Sequence, residues 1–268
     1  MGVISLLADD EPSPVNVVNL AGQSPIFLVC EHAGRRLPRA LGDMGLSEEE
    51  RQRHIAWDIG ADAVSRHLAE RLDAALITQT YSRLVCDCNR ETHVPSFIPA
   101  LSERTRIPAN EDVTPAERQA RIDEIYRPLH DRITEELDRR AAGGHATVFL
   151  SMHSFTPVFM DEARPMHLGL LYDRDPRLAH LVGSVLRAEG GFSITDNEPY
   201  ALDWSRDYTV PEHGERRGIP SLEIEIRQDL ISEPDGQASM ADRLAPALER
   251  SARHLLRDLD AASADQIG

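Results

Sequence analysis

Short apolar runs alternate with longer amphipathic stretches along the chain. Ile26-Phe27-Leu28-Val29-Cys30 is apolar without interruption, the pattern of a strand buried on both faces. Ala75-Leu76-Ile77, Leu84-Val85-Cys86, Thr147 to Met152 and Leu168 to Tyr172 read as further strands. Leu222 to Ile226 differs, because Glu223 and Glu225 alternate with its apolar residues. Helices are predicted between these runs. Ser47 with Glu50 forms a capping box for a short helix. From about Asp58 to Leu72, Ala61, Val64, Leu68 and Leu72 share one stripe, with Asp58 placed to cap it. Thr114-Pro115-Ala116-Glu117 starts a helix running to about Ala142, with a break expected near Pro128. Asp175-Pro176 opens a helix to about Glu189, and a last amphipathic helix covers roughly Ala238 to Leu259.

Strands alternating with helices predict a three-layer α/β fold on a mixed, largely parallel sheet. We expect a single domain over residues 1–268, with 1–24 and 260–268 as tails. Residues 91–113 are polar and carry Pro95, Pro99 and Pro108. A loop of that length is often functional.

Charge narrows the partners. The 29 basic residues, all Arg, face 45 acidic ones, a net charge of −16. Nucleic-acid binders present a basic face, so no nucleic-acid partner is expected. No apolar run approaches a membrane span, and residues 1–24 lack a signal-peptide pattern. A cytoplasmic protein without a membrane partner is expected. Cys30, Cys86 and Cys88 are an odd number without a pair pattern, which fits a reducing compartment. Cys86 and Cys88 would point the same way along a strand, as small packing residues.

Ligands of such sheets gather at the carboxyl ends of the strands. Four predicted strands place costly polar groups there: Glu31 and His32, then Asp87, Asn89 and Arg90, then His153 and Ser154, then Glu223 and Glu225. A buried charge needs a partner or a metal. Each group also has a plain role: a hydrogen-bonded core histidine, a helix cap at Asp58, a turn with an ion pair at Asp87–Arg90, or a solvent-facing strand edge at Glu223 and Glu225. Two imidazoles and a carboxylate instead suit zinc with an open position for water, and an unligated Glu nearby suits proton transfer. An Arg beside an Asn suits a substrate carboxylate. No Gly-x-Ser-x-Gly elbow or Gly-rich phosphate loop is present.

Five blocks carry a resemblance: Val29–Gly34, His54–Ala61, Tyr81–Arg90, Met152–Pro157 and Glu223–Leu230. In this order they resemble the N-formylglutamate amidohydrolase family, itself similar to the zinc carboxypeptidases and the aspartoacylases. The resemblance implies a phosphorylase/hydrolase-type α/β sheet and one zinc per chain. Those relatives ligate through His-x-x-Glu and a distant His; here the third position after His32 is Arg35. It implies His32, Asp58 and His153 as ligands, with Glu31 the alternative to Asp58. It implies Glu225 as the catalytic Glu, and Arg83, Asn89 and Arg90 as holders of substrate carboxylates. His213 resembles a histidine that contacts substrate or transition state. The implied activity is hydrolysis of an N-formyl or N-acyl amino acid, an acidic small molecule such as N-formylglutamate. Two rivals stand beside it: a zinc carboxypeptidase- or deacylase-like enzyme on a short peptide or cell-wall fragment, and a metal-free binder of small dianions.

Overall fold

The structure is a computed structural model describing residues 5–265. In chain order the strands are β1 (Val15–Val18), β2 (Ile26–Cys30), β3 (Ala75–Gln79), β4 (Leu101–Ser102), β5 (Thr105–Arg106), β6 (Val148–Phe155), β7 (Val158–Phe159), β8 (Glu162–Ala163), β9 (Leu168–Leu171), β10 (Ile194–Asp196) and β11 (Ser221–Arg227). The α-helices are α1 (Glu48–Gln52), α2 (Ala61–Leu72), α3 (Pro115–Arg121), α4 (Arg127–Ala142), α5 (Arg177–Glu189) and α6 (Pro234–Asp265). Seven strands form one sheet in the order β1-β3-β2-β6-β11-β9-β10. The central four run parallel, while β1 and β9 pair antiparallel to their inner neighbours. Two small hairpins, β4-β5 and β7-β8, lie outside it.

Strand alternation divides the interior into two cores. Ile26, Leu28 and Cys30 pack with α2, α5 and α6 on one face of the sheet. Phe27 and Val29 pack with α4 and residues 81–107 on the other. Mixed α/β with helices on both faces is the expected architecture. Among the described residues no helix is long and apolar enough to cross a membrane.

Both predicted capping boxes form, at Ser47–Glu50 and Thr114–Glu117. The expected break near Pro128 is a π-helical turn, Ile122–Tyr126, between α3 and α4. It absorbs the ring that cannot continue the α-helical hydrogen bonding.

Several expectations are corrected. Leu84–Cys86 is not a strand: Val85 N donates to Ser82 O at 2.9 Å, and Leu84 N donates to Ser82 Oγ at 3.1 Å. Local turn bonds of this kind compete with a ladder. Cys86 and Cys88 are nonetheless both buried in the core. Residues 91–113, expected as one long loop, hold two 3-10 turns and the β4-β5 hairpin. The expected amino-terminal tail supplies the edge strand β1, paired with β3. The final helix runs to Asp265 rather than about Leu259; residues 1–4 and 266–268 lie outside the described residues. The strand predicted over 147–152 continues to Phe155, so His153 lies inside β6.

Gly60, not Asp58, is the N-cap of α2. Its φ is +80°, and a Cβ there would sit 2.1 Å from Ile231 O. Gly60→Ala therefore combines left-handed strain with a backbone clash. A cost of roughly 2–5 kcal/mol is expected, read as a lower urea midpoint at unchanged m.

Candidate active site

Register assembles the site. β6 and β11 are parallel neighbours, with Glu225 opposite His153 and Glu223 opposite Ser151. Side chains alternate along a strand, so these four share one face, while Leu150, Met152, Leu222, Ile224 and Ile226 pack on the other. That face is buried: Glu223 is 0% and Glu225 2% exposed. The solvent-facing alternative for the two glutamates is excluded.

Asp58 joins the two predicted histidines. Its Oδ2 accepts from His153 Nδ1 at 2.8 Å and from Ser154 N at 3.2 Å, and lies 3.4 Å from His32 Nδ1. The far nitrogens of both rings are anchored. His32 Nε2 pairs with Asp87 Oδ1 at 2.7 Å, and His153 Nε2 with Ser151 Oγ at 2.8 Å, with Glu31 Oε2 at 3.4 Å behind it. A proton on His32 Nε2 leaves its Nδ1 as a lone pair, and that atom is buried without a hydrogen bond among the described residues. Carboxylate-held imidazoles are the usual support of metal ligands. One atom each from His32, Asp58 and His153 lies within 4.8 Å of the others. Two nitrogens and one carboxylate oxygen suit a divalent cation, so these three residues can hold a metal ion. Glu31, the alternative ligand, stands on the far side of His153, where it supports Ser151 at 2.8 Å.

The electrostatics point the same way. Burial alone would push the His153 pKa down, but Glu223, Glu31 and Asp58 raise it well above the ordinary range. Burial pushes Glu223 up to about 7, with Glu225 and other nearby carboxylates adding to it. Burial also raises Glu225, while Glu31 is held down at about 2 by the His153 and His32 imidazoles against its own burial. Such a buried surplus of carboxylates favours bound cations and protons.

A cavity of about 370 Å³ opens on this cluster. Asp58, Arg83, Glu225 and Tyr200 line it, and the hairpins β4-β5 and β7-β8 supply Glu103 and Phe159. Tyr200 Oη reaches Glu223 Oε1 at 3.2 Å and also bonds Glu225 Oε1. Glu225 Oε2 has no hydrogen-bond partner among the described residues.

The remaining predicted residues are placed unequally. Arg83 lines the cavity, but it pairs with Asp87 through Nε and Nη2 and with Asp58 through Nη1 at 3.3 Å. Arg90 also lines it, with Nη1 engaged by Asn89 O and Asp207. Asn89 turns away, donating to Glu223 Oε2 at 3.1 Å and accepting from Thr209 N at 3.0 Å. His213, expected at the substrate, does not line the cavity. It is buried against His130, with His213 Nε2 2.9 Å from His130 Nδ1. Ser151, Tyr200 and His130 escaped the sequence reading. The Ser151-x-His153 spacing on a strand could have exposed the first; Tyr200 lies in a loop without a pattern.

Fold and site together define an α/β protein with a candidate metal centre at the carboxyl edge of its sheet. The sequence profile of the N-formylglutamate amidohydrolase family matches residues 24–232, and the chain belongs to that family. It is 30% identical over 258 residues to the N-formylglutamate deformylase of Pseudomonas aeruginosa, covering 89% of this chain and 93% of that protein. Its identity to the Pseudomonas putida N-formylglutamate deformylase is 27% over 263 residues, with 91% and 96% covered. Among solved structures, a gene product of Agrobacterium tumefaciens matches with a TM-score of 0.90 at 37% identity, over 93% of this chain and 99% of that one. An N-formylglutamate amidohydrolase from Ralstonia eutropha shares the fold, with a TM-score of 0.65 at 23% identity, over 92% and 100%.

The His130–His213 pair carries its own prediction. His130 Nε2 lies 2.9 Å from the Cys88 carbonyl and must donate to it. Neutral His130 then accepts at Nδ1 from His213 Nε2, and neither ring needs a second proton. Burial lowers His130 from 6.5 to about 4. A base protonated more readily when unfolded gives stability that is complete above pH 6.5 and is lost as pH falls toward 4, about 3 kcal/mol in all. Raised carboxyls such as Glu223 act with the opposite sign in that window, so the effect is read as a difference: the slope of unfolding free energy against pH should be less positive in His130→Gln than in the wild type. Equal slopes, or a ring titrating near 6.5 by NMR, would contradict a buried neutral pair.

Proposed function

We propose that the chain is a zinc-dependent hydrolase of N-formyl amino acids of the N-formylglutamate type. Family membership supports the reaction class. The observation that carries the mechanism is Glu225 Oε2, a buried carboxylate oxygen without a hydrogen-bond partner among the described residues, on a residue lining the cavity beside Asp58. His32, Asp58 and His153 would hold the zinc, which when bound supplies Lewis acidity toward water and the amide carbonyl.

The protein's own groups account for the proton traffic. Glu225 removes a proton from the attacking water as its oxygen bonds to the formyl carbon. The carbon–nitrogen bond then breaks, and Glu225 returns that proton to the departing amine. For N-formylglutamate the products are formate and glutamate. Tyr200 holds Glu225 by its other oxygen, so Oε2 stays aimed for transfer. Burial raises the Glu225 pKa, which makes it a stronger base than a solvated carboxylate.

The substrate is acidic and so is the site, so local cations decide binding. Of the predicted carboxylate holders, Arg90 keeps Nε and Nη2 free of protein partners among the described residues. It receives the α-carboxylate, next to the scissile nitrogen. Asn89 orders the Glu223 side, and Arg83 holds Asp58 and Asp87 in place. A cavity of this size suits a small molecule.

Formate release from N-formylglutamate is the test. Chelation should abolish it and zinc should restore it, at about one metal per chain. Full activity in metal-free protein overturns the zinc reading. Glu225→Gln should bind zinc normally yet lose roughly 100- to 10,000-fold in kcat; a variant with near wild-type kcat removes Glu225 from the proton path.

A further inference from the structure

Four arginines line the cavity: Arg83, Arg90, Arg164 and Arg206. Three already face carboxylates. Arg83 pairs with Asp58 and Asp87, Arg90 with Asp207, and Arg206 with Asp203 and Asp207 at 3.8 and 3.7 Å. Arg164 has no carboxylate within ion-pair distance and no side-chain hydrogen bond among the described residues. Its guanidinium instead lies over two rings, 4.6 Å from the centre of Phe159 and 5.9 Å from that of Phe155.

The backbone beneath it is fixed. Arg164 follows β8, and its N–H closes the β7-β8 hairpin onto Pro157 O at 2.8 Å. The side chain is half-buried. Burial lowers its pKa, and Glu225, Tyr200 and Glu103 compensate only from a distance. A guanidinium packed over aromatic faces stays weakly hydrated, with its planar fork of donors unspent. That fork matches a carboxylate through two parallel hydrogen bonds.

We propose that Arg164 is a specificity-determining residue that receives the side-chain carboxylate of the substrate. The assignment rests on the N-formyl amino acid reading above. In that substrate the α-carboxylate sits on the carbon bearing the scissile nitrogen, so it stays near Asp58 and Glu225, within the reach of Arg90. The γ-carboxylate lies farther along the substrate, and Arg164 is the guanidinium on the wall of the same cavity left without a carboxylate among the described residues to receive it. The pairing is charge-assisted and partly desolvated, which is where one cation discriminates between an acid and its neutral amide.

N-formylglutamate and N-formylglutamine differ only at that group. Arg164→Gln should lower kcat/KM for N-formylglutamate by roughly 30- to 100-fold. The loss for N-formylglutamine should be at least tenfold smaller, so the acid-over-amide preference collapses. Arg164→Lys keeps the charge but not the fork and should fall between. Equal losses on both substrates, or no loss on either, overturn the assignment. Glutarate binding by calorimetry separates this assignment from the reaction itself. If the wild type releases no formate but Arg164→Gln binds glutarate at least tenfold more weakly, the reaction reading fails and Arg164 stands. Equal glutarate affinities, or no glutarate binding by the wild type, remove Arg164 from carboxylate recognition.

Discussion

One carboxylate oxygen organises the centre of this molecule. Asp58 Oδ2 bonds His153 Nδ1 and Ser154 N and faces His32 Nδ1. Three separate parts of the chain meet there: the loop after β2, the turn before α2, and the end of β6. The cap of α2 had to be Gly60 for this to happen. Had Asp58 spent its carboxylate on helix N–H groups, as its position suggests, the two imidazoles would face each other without a shared acceptor. The site uses the residue best placed to stabilise the helix, and the helix makes do with glycine.

Around that oxygen the interior holds more negative charge than folding alone would favour. Glu31, Asp58, Asp87, Glu223 and Glu225 are each 3% exposed or less. The described cations acting on them include Arg83, Arg90 and the two imidazoles. The imbalance explains opposite behaviours of chemically equal groups. Glu31, beside His153, stays ionised; Glu223, beside Glu225, moves up to about 7. Removing carboxylates would relieve the repulsion but would loosen the imidazoles, because Asp87 holds the outer nitrogen of His32 and Glu31 backs the Ser151 hydroxyl that bonds the outer nitrogen of His153. The arrangement is therefore costly for stability, and a bound cation or proton would relieve it.

Most of this was legible in the sequence because burial writes itself into polarity. Glutamates alternating through Leu222–Ile226 and a histidine next to an apolar run are signals that a packed strand cannot hide. The family blocks then singled out Asp58 over its capping role. What stayed hidden depends on distance rather than pattern. The partners of Arg83 and Arg90 come from turns that no periodicity marks, so two arginines that read as free carboxylate binders have aspartates beside them. Leu84–Cys86 misled for a related reason: Ser82 satisfies the backbone that an apolar triplet seemed to reserve for a ladder. Tyr200 and Arg164 lie in loop and hairpin segments, where only the assembled walls reveal them.

The acidity of the chain bears on binding only through this allotment. A net charge of −16 disfavours a dianion at long range, but salt screens that field within about 8 Å under physiological conditions. What remains is local. An arginine whose whole fork is engaged by buried aspartates, as Arg83 is, presents little net attraction, so a large count of cavity arginines does not by itself make a receptor for acids. Unmatched positive charge does. The carboxylates at the cavity floor, Asp58 and Asp87, tie up Arg83, so the guanidinium without a carboxylate partner among the described residues stands on another wall, at Arg164 beside the β7-β8 hairpin. That segregation keeps the buried acids and the unengaged guanidinium on separate walls of one cavity.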